Sequence, residues 1–217
     1  MGLAMKQIRD GNTAVIDAQI EAYYESSSGF RDAFSRIMGS APLRANHLVL
    51  KAAWIDTELG PMIAMADEAG LYLLEFADRR GLEREVERLR KRLKAAIIPG
   101  TTQITKKIEK ELMDYFQGKK YQFETPLMLM GSVFQKSVWD ALQKIPLGET
   151  RSYLDIANII KKPTASRAVA NANGANQLAI IIPCHRVINA NGELGGYAGG
   201  ISRKQWLIEH EKKGRMK

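Results

Sequence analysis

The chain has 217 residues, of which 45% are hydrophobic and 26% are charged, a composition typical of soluble globular proteins with one large or two small domains. No apolar run approaches the roughly 20 residues of a membrane-spanning helix, and residues 1–20 lack the basic start and apolar core of a signal peptide. With a single cysteine, the composition argues against membrane proteins and disulfide-rich secreted proteins, and it predicts a cytoplasmic location.

The net charge of +8 is concentrated near the carboxyl terminus. Residues 126–217 contain seven more basic than acidic residues, whereas the excess is zero over residues 1–45 and one over residues 46–125. Such an excess is typical of a surface that contacts phosphate groups. Four of these cations lie at positions 212–217, where a solvated chain end explains them equally well.

The first 44 residues are predicted to form two short helices joined by a tight turn. Apolar residues recur at helical spacing over residues 15–23 and 30–38, and the serine and glycine run at 26–29 supplies cap and turn residues. Residues 24–42 resemble the second helix-turn-helix of AraC-type regulators, whose second helix enters the major groove. The first helix-turn-helix of those regulators is absent, so this segment is either a partial DNA-binding unit or a packing element.

Three strands and then two helices are predicted between residues 47 and 116. They cover residues 47–57, 62–66, 71–76, 82–93 and 104–116. The strands form a meander. Arginine, lysine and glutamate alternate on the first helix, and this pattern is most simply a solvated face. Residues 121–130 are predicted to connect this part of the chain to a second domain.

Three more helices are predicted between residues 132 and 175. Ser132 with Gln135 and Ser152 with Asp155 have capping-box spacing, and the third helix covers residues 165–175. The last two helices have the spacing of a helix-turn-helix. The third helix is rich in small residues, so its surface suits either tight packing inside the protein or entry into a DNA groove.

The stretch from Leu178 to Val187 contains the only cysteine of the chain. Its apolar residues 178–182 predict a strand buried on both faces, which Pro183 ends. Without a second cysteine, Cys184 is either a buried structural thiol or a nucleophile. His185 and Arg186 favour a thiolate there. Adjacent strand side chains point to opposite faces, so Cys184 and His185 cooperate only if Pro183 begins a turn or a water bridges them.

These residues resemble the active-site signature of the O6-alkylguanine-DNA alkyltransferases. The similarity is carried by Ile180–Val187, Ser152-Tyr153, Arg167–Val169, Asn176, Gly195–Tyr197 and Trp206–Glu211. Together with the AraC-like segment, it makes the chain similar to Ada proteins without their cysteine–zinc module. The resemblance implies an α+β fold: a helix-turn-helix remnant (1–44), a ribonuclease-H-like domain (45–125) and a winged-helix-like alkyltransferase domain (126–217).

The resemblance also implies a function in DNA repair. A methyl group of O6-methylguanine, and by extension of O4-methylthymine, would pass from a flipped-out nucleotide of double-stranded DNA to Cys184. The thioether is stable, so a monomer would react once, and the resemblance implies neither a cofactor nor a metal. A transcriptional regulator that senses alkylation and a Cys-His hydrolase are the alternative functions.

Five residues receive catalytic roles from the resemblance. Cys184 is the nucleophile, held ready as a thiolate, His185 is its base through a water, and Glu211 orients His185. Tyr153 donates a proton to the departing base, and Asn176 supports the active-site turn.

Substrate and DNA contacts are implied in the same way. The base pocket would be formed by Tyr153, Val187, Tyr197 and Ala198. Arg167 would fill the space that the flipped base leaves in the stack, although an ordinary phosphate contact also explains an arginine there. The helix in the DNA minor groove would present Ala165, Ser166, Arg167, Ala168 and Ala172.

Overall fold

The structure, a computed structural model, describes residues 48–215. Residues 48–116, the sheet region, contain β1 (Val49–Ile55), β2 (Met62–Ala66), β3 (Leu71–Phe76), α1 (Leu82–Leu93), β4 (Ala96–Pro99) and α2 (Gln103–Phe116). The helix-turn-helix predicted for residues 1–44 lies outside the described residues.

The four strands form one sheet in the order β3-β2-β1-β4. The antiparallel arrangement of β1, β2 and β3 confirms the predicted meander. β4 was not predicted, because four residues of parallel strand have too little pattern to be recognised. It pairs with β1 after the chain crosses over through α1, as a parallel pair requires.

Both faces of the sheet are covered, which explains the near-continuous apolar strands. On one face, Val86 and Leu89 of α1 pack with Leu50, Met65 and Leu73. On the other face, α2 packs together with the helices of the second half of the chain. The first turn of α1 follows Gly81, whose φ of 85° lies in the left-handed region that favours glycine.

Residues 132–215 form the helical region, which carries the cysteine. It contains α3 (Val133–Gln143), β5 (Arg151–Ser152), α4 (Tyr153–Ile159), α5 (Ser166–Gly174), a 3₁₀ helix (Cys184–Arg186), β6 (Val187–Ile188) and α6 (Ile201–Arg215). Ser132 and Ser152 form the two predicted capping boxes at the starts of α3 and α4. α3, α4 and α5 pack against one another.

The predicted strand at residues 178–182 is wrong. All five side chains are buried, but only Leu178 forms a bridge, with Leu74 of β3, and Ile180 has a left-handed φ of 72°. The segment is a compact loop whose backbone is hydrogen-bonded by the Asn176 side chain. The Leu178 N–H donates to Asn176 Oδ1, and Asn176 Nδ2 donates to the Ile182 carbonyl. Apolar residues in succession indicated burial correctly and backbone conformation incorrectly.

Between residues 48 and 215, no helix combines the length and apolar character needed to cross a membrane.

Candidate active site

Cys184 is the first residue of the 3₁₀ helix that Pro183 introduces. The Arg186 N–H donates to the Pro183 carbonyl at 2.9 Å, which closes the turn. Pro183 therefore begins a turn, the first of the two arrangements under which Cys184 and His185 can belong to one site.

The side chain of Asn176 holds this turn in place and contacts the sulfur. Its Nδ2 donates to the Ile182 carbonyl at 2.9 Å and to Cys184 Sγ at 3.1 Å. Asn173 adds a bond of 3.3 Å from its Nδ2 to the Cys184 carbonyl. The structure thus places Asn176 where the predicted supporting role requires it.

A cavity of about 270 Å³ lies beside the thiol, near the lower limit of ordinary small-molecule pockets. Five residues predicted for the site line it: Tyr153, Asn176, Cys184, Tyr197 and Ala198. Glu75, Asn173 and Gly174 also line it and were not predicted. The cavity wall therefore combines residues of the sheet region and the helical region.

The thiol is protonated in this unliganded site. Burial raises the pKa of Cys184 to about 11; the hydrogen bond from Asn176 opposes this shift, and the charge of Glu75 adds to it. Burial therefore opposes the ready thiolate that the resemblance implies. A base must remove the proton when substrate is bound.

His185 is completely buried and is held by Glu211. The distance between His185 Nε2 and Glu211 Oε1 is 2.9 Å. Although burial alone would raise it, the pKa of Glu211 is lowered to about 2 by His185 and Arg186. An ionised carboxylate only accepts hydrogen bonds, so Nε2 carries the imidazole proton. Nδ1 of His185 has no hydrogen-bond partner within residues 48–215, so it is the ring nitrogen that can accept a proton.

Glu211 accepts three further hydrogen bonds. Arg186 donates from Nε at 2.7 Å and from Nη2 at 3.0 Å, and the Tyr115 hydroxyl donates at 2.9 Å. Tyr115 comes from α2 of the sheet region. It was not predicted, because its apolar helical spacing already explained its presence.

Two basic residues of α6 hold the glycine-rich loop at residues 195–200. Lys204 is fully buried and donates from Nζ to the Val187 carbonyl at 2.6 Å and to the Gly196 carbonyl at 3.3 Å. Burial lowers the pKa of Lys204 to about 8. Arg203 donates to the Gly199 carbonyl at 2.9 Å and pairs with Asp78 of the sheet region.

Neither Lys204 nor Arg203 was predicted at the site. A signal for Lys204 existed, since it lies seven residues before Glu211 on the face of α6 that also carries Leu207 and Ile208. Polar residues on an otherwise apolar helix stripe are informative because their burial requires partners.

Two tyrosines present phenol groups at the cavity. Burial raises the pKa of Tyr197 well above its usual range. The pKa of Tyr153 is also raised, mainly by burial and to a smaller extent by the nearby Cys184. The Tyr197 hydroxyl is buried without a hydrogen-bond partner among the described residues. Both phenols are therefore neutral donors, and that of Tyr197 is available to a ligand.

Glu75 is an acid in the otherwise apolar strand β3. It is 2% exposed, and Arg79 Nη1 donates to its Oε1 at 2.9 Å. Burial raises the pKa of Glu75 to about 8, against the effect of Arg79. A carboxyl group within a run of apolar strand residues is a signal in the sequence, because its burial requires a partner or a function.

The residues predicted to contact DNA separate into two groups. Arg167 and Ala168 are exposed at the start of α5, and Ala165 and Ser166 are half-buried. Ala172 is 2% exposed, and its carbonyl accepts a hydrogen bond from Trp139 Nε1. Its side chain faces the core, so the predicted DNA contact of Ala172 is wrong.

Val187 is fully buried and does not line the cavity. Its carbonyl already accepts a hydrogen bond from Lys204, so a bond to guanine would use the second lone pair of that oxygen. The contact between Val187 and the base stays a prediction.

The family model and the similar proteins all point to one family. Residues 133–213 match the family model for the DNA-binding domain of 6-O-methylguanine DNA methyltransferase. The chain is 40% identical over 163 residues to the methylated-DNA–protein-cysteine methyltransferase of Methanosarcina acetivorans, a match that covers 73% of this chain and 96% of that protein. It is 56% identical over 102 residues to the enzyme of the same name from Mycobacterium tuberculosis, covering 47% of this chain and 62% of that protein.

A solved structure agrees with these sequence matches. The crystal structure of Mycobacterium tuberculosis OGT in complex with DNA superposes with a TM-score of 0.64 at 39% identity, over 77% of this chain and 94% of that one. This chain therefore belongs to the family of methylated-DNA–protein-cysteine methyltransferases, which repair DNA by direct transfer of an alkyl group to the protein.

Proposed function

We propose that this protein removes the methyl group of O6-methylguanine in DNA by transferring it to Sγ of Cys184. The observation that carries the proposal is that the single cysteine lines a cavity of about 270 Å³ and is followed in the same turn by His185, which is bound by Glu211 at 2.9 Å. One turn then supplies the nucleophile and its base, and Glu211 orients the base, as in other activated nucleophiles.

The proton of the thiol leaves before or during attack. His185 Nδ1 takes it, directly or through a water, and the charge of Glu211 stabilises the imidazolium that forms. The S–C bond forms as the bond between the methyl carbon and O6 of guanine breaks. Tyr153 protonates the departing guanine, and its own proton is restored from His185. In the net reaction, S–H and O–CH₃ bonds are replaced by S–CH₃ and a guanine N–H.

The product is a thioether, which is stable under cellular conditions. The chain has no second cysteine to displace it. We therefore propose one transfer per protein molecule.

Access to the thiol requires the nucleotide to leave the base stack, because Cys184 is only 7% exposed. We propose that α5 lies in the minor groove and presents Ala165, Ser166, Arg167 and Ala168, with Arg167 occupying the space left by the base. Small side chains there permit close approach. The Tyr197 hydroxyl, Ala198 in the loop and the Val187 carbonyl would contact the base, and O4-methylthymine is proposed as a second substrate.

We also propose which known folds the two halves of the chain adopt. We assign residues 45–125 to a ribonuclease-H-like domain and residues 126–217 to a winged-helix-like domain. A monomer acting in the cytoplasm completes the proposal. The antiparallel strands followed by helices in the sheet region, and the packing of α4 on α5, support these assignments.

The test is mass spectrometry after incubation with a duplex that contains O6-methylguanine. We expect the peptide containing Cys184 to gain the mass of one CH₂ group, and we expect no gain in a Cys184→Ala variant or with unmethylated DNA. A methyl group on another residue, or none on the native protein, would contradict the proposal.

A further inference from the structure

Four arginines form a stripe along helix α1 of the sheet region and the turn before it. Arg80 precedes the helix, and Arg84, Arg88 and Arg92 follow at intervals of four residues. All four are exposed, and the Arg88 side chain is 74% exposed. Residues four apart lie on one helix face, roughly 6 Å from each other along the axis.

The acidic residues of this helix neutralise little of the stripe. Glu87 binds Arg90 and Lys91 rather than an arginine of the stripe. Glu85 Oε2 lies 4.0 Å from Nη1 of Arg88, the limit of an ion pair. No ion pair joins Arg80 or Arg84 to a carboxylate of residues 48–215. The sequence predicted a solvated charged face here, and the four arginines of the stripe are exposed.

The stripe forms one wall of a groove of about 460 Å³, called here the arginine groove. Asn171 and Gly174 of α5, with Gln135 and Gln177, form the opposite wall. Glu85 is the only carboxylate among the residues that line this groove, and it is engaged by the Gln177 side chain. The groove therefore has a strong excess of positive charge and neutral hydrogen-bonding groups across from it.

The arginine groove adjoins the active site. Gly174, the last residue of α5, lines both the groove and the cavity that contains Cys184. A polyanion in the groove would therefore lie next to that cavity.

We propose that the arginine groove binds the phosphate backbone of the DNA strand next to the flipped nucleotide. The DNA-binding surface would then extend from the helical region onto the sheet region. Like charges at this spacing repel one another, and an anionic partner removes that repulsion. Guanidinium groups suit phosphate because they donate paired hydrogen bonds to it. The inference rests on the proposed function, since it takes alkylated duplex DNA as the partner.

The test compares DNA binding by two charge-matched variants. Arg80→Gln/Arg84→Gln/Arg88→Gln removes three charges from the groove. Lys91→Gln/Lys106→Gln/Lys110→Gln removes three exposed charges outside both the groove and the cavity. Affinity for a short duplex with a single O6-methylguanine is measured by fluorescence anisotropy over a series of salt concentrations.

Each lost phosphate contact should reduce the slope of log K against log salt concentration by about 1. We expect the arginine variant to bind about tenfold more weakly at ~0.1 M salt, with a slope reduced by about 2 to 3. A single Arg84→Gln variant should reduce the slope by about 1. Unchanged thermal midpoints will show that the variants are folded.

Two outcomes separate this inference from the proposed function. If native protein takes up a methyl group but the arginine and lysine variants bind DNA with equal slopes and affinities, the arginine groove is not a DNA site. If native protein takes up no methyl group from the same duplex, the proposed function fails whatever the slopes are.

Discussion

At the scale of single residues, the carboxylate of Glu211 determines how the site can act. It receives hydrogen bonds from His185, Arg186 and Tyr115, so both of its oxygens are engaged. Because it remains ionised, it fixes the proton of His185 on Nε2 and leaves Nδ1 to act as the base. Catalysis and stability therefore depend on the same buried charge.

We expect Glu211→Gln to abolish most methyl transfer and to destabilise the fold. The variant leaves the buried Arg186 without its counter-charge, which typically costs about 3–5 kcal/mol in the free energy of unfolding. Denaturant unfolding measures the stability, and the rate of methyl uptake measures the transfer. Glu193→Gln, at an exposed position in the loop after β6, is the control and should change neither.

The low pKa of Glu211 also predicts a pH dependence. Its folded pKa of about 2 lies below its ordinary value of 4.5, so the stabilisation is present above pH 4.5 and is lost as the pH falls through about 2. The free energy of unfolding should decrease over that interval, and the decrease should be smaller in Glu211→Gln. If the free energy of unfolding depends on pH in the same way in both proteins, Glu211 is not the source of this pH dependence.

Glu75 has a testable effect on the thiol. Its carboxyl has a pKa of about 8 and is therefore ionised over the range in which Cys184, with a pKa of about 11, titrates. Glu75→Gln removes that negative charge, so we expect the pKa of Cys184 to fall. The pH dependence of Cys184 alkylation by iodoacetamide should shift to lower pH, whereas Glu83→Gln, on the exposed face of α1, should leave it unchanged.

At the scale of elements, locally encoded features were predictable and those that depend on distant partners were not. The capping boxes of Ser132 and Ser152 lie within four residues and appear as expected. The strand expected at residues 178–182 is a loop, because an amide side chain supplies the hydrogen bonds that a neighbouring strand would supply. The sequence shows that α1 is rich in charged residues. Which of them line a common groove with α5 depends on how the two helices pack, and the sequence does not show this.

The loop that carries Cys184 should be sensitive to loss of the Asn176 amide. In Asn176→Leu, the buried Leu178 N–H loses its partner, at a cost of about 1–3 kcal/mol, and the Ile182 carbonyl keeps only the bond from the Cys184 N–H. The pKa of Cys184 should rise further, because the bond that favours the thiolate is gone. Unfolding measurements and thiol alkylation rates test both effects, with Asn158→Leu on the exposed face of α4 as control. An unchanged alkylation profile would contradict the role assigned to Asn176.

At the scale of the whole molecule, the site is assembled from both halves of the chain. Cys184, His185 and Glu211 come from the helical region, and Tyr115 and Glu75 come from the sheet region. Local sequence carried the cysteine motif, so the nucleophile and its base could be predicted. Tyr115 and Glu211 are 96 residues apart in sequence, and only the packing of α2 against α6 brings them together.

Cys184 is expected to accept one alkyl group and to keep it. The most direct measurement is a titration of the protein with excess duplex carrying isotopically labelled O6-methylguanine, followed by counting of label per protein molecule. We expect uptake to reach a plateau at one methyl group per molecule, all of it on Cys184. Continued release of demethylated DNA by protein whose Cys184 remains unmodified would contradict the account.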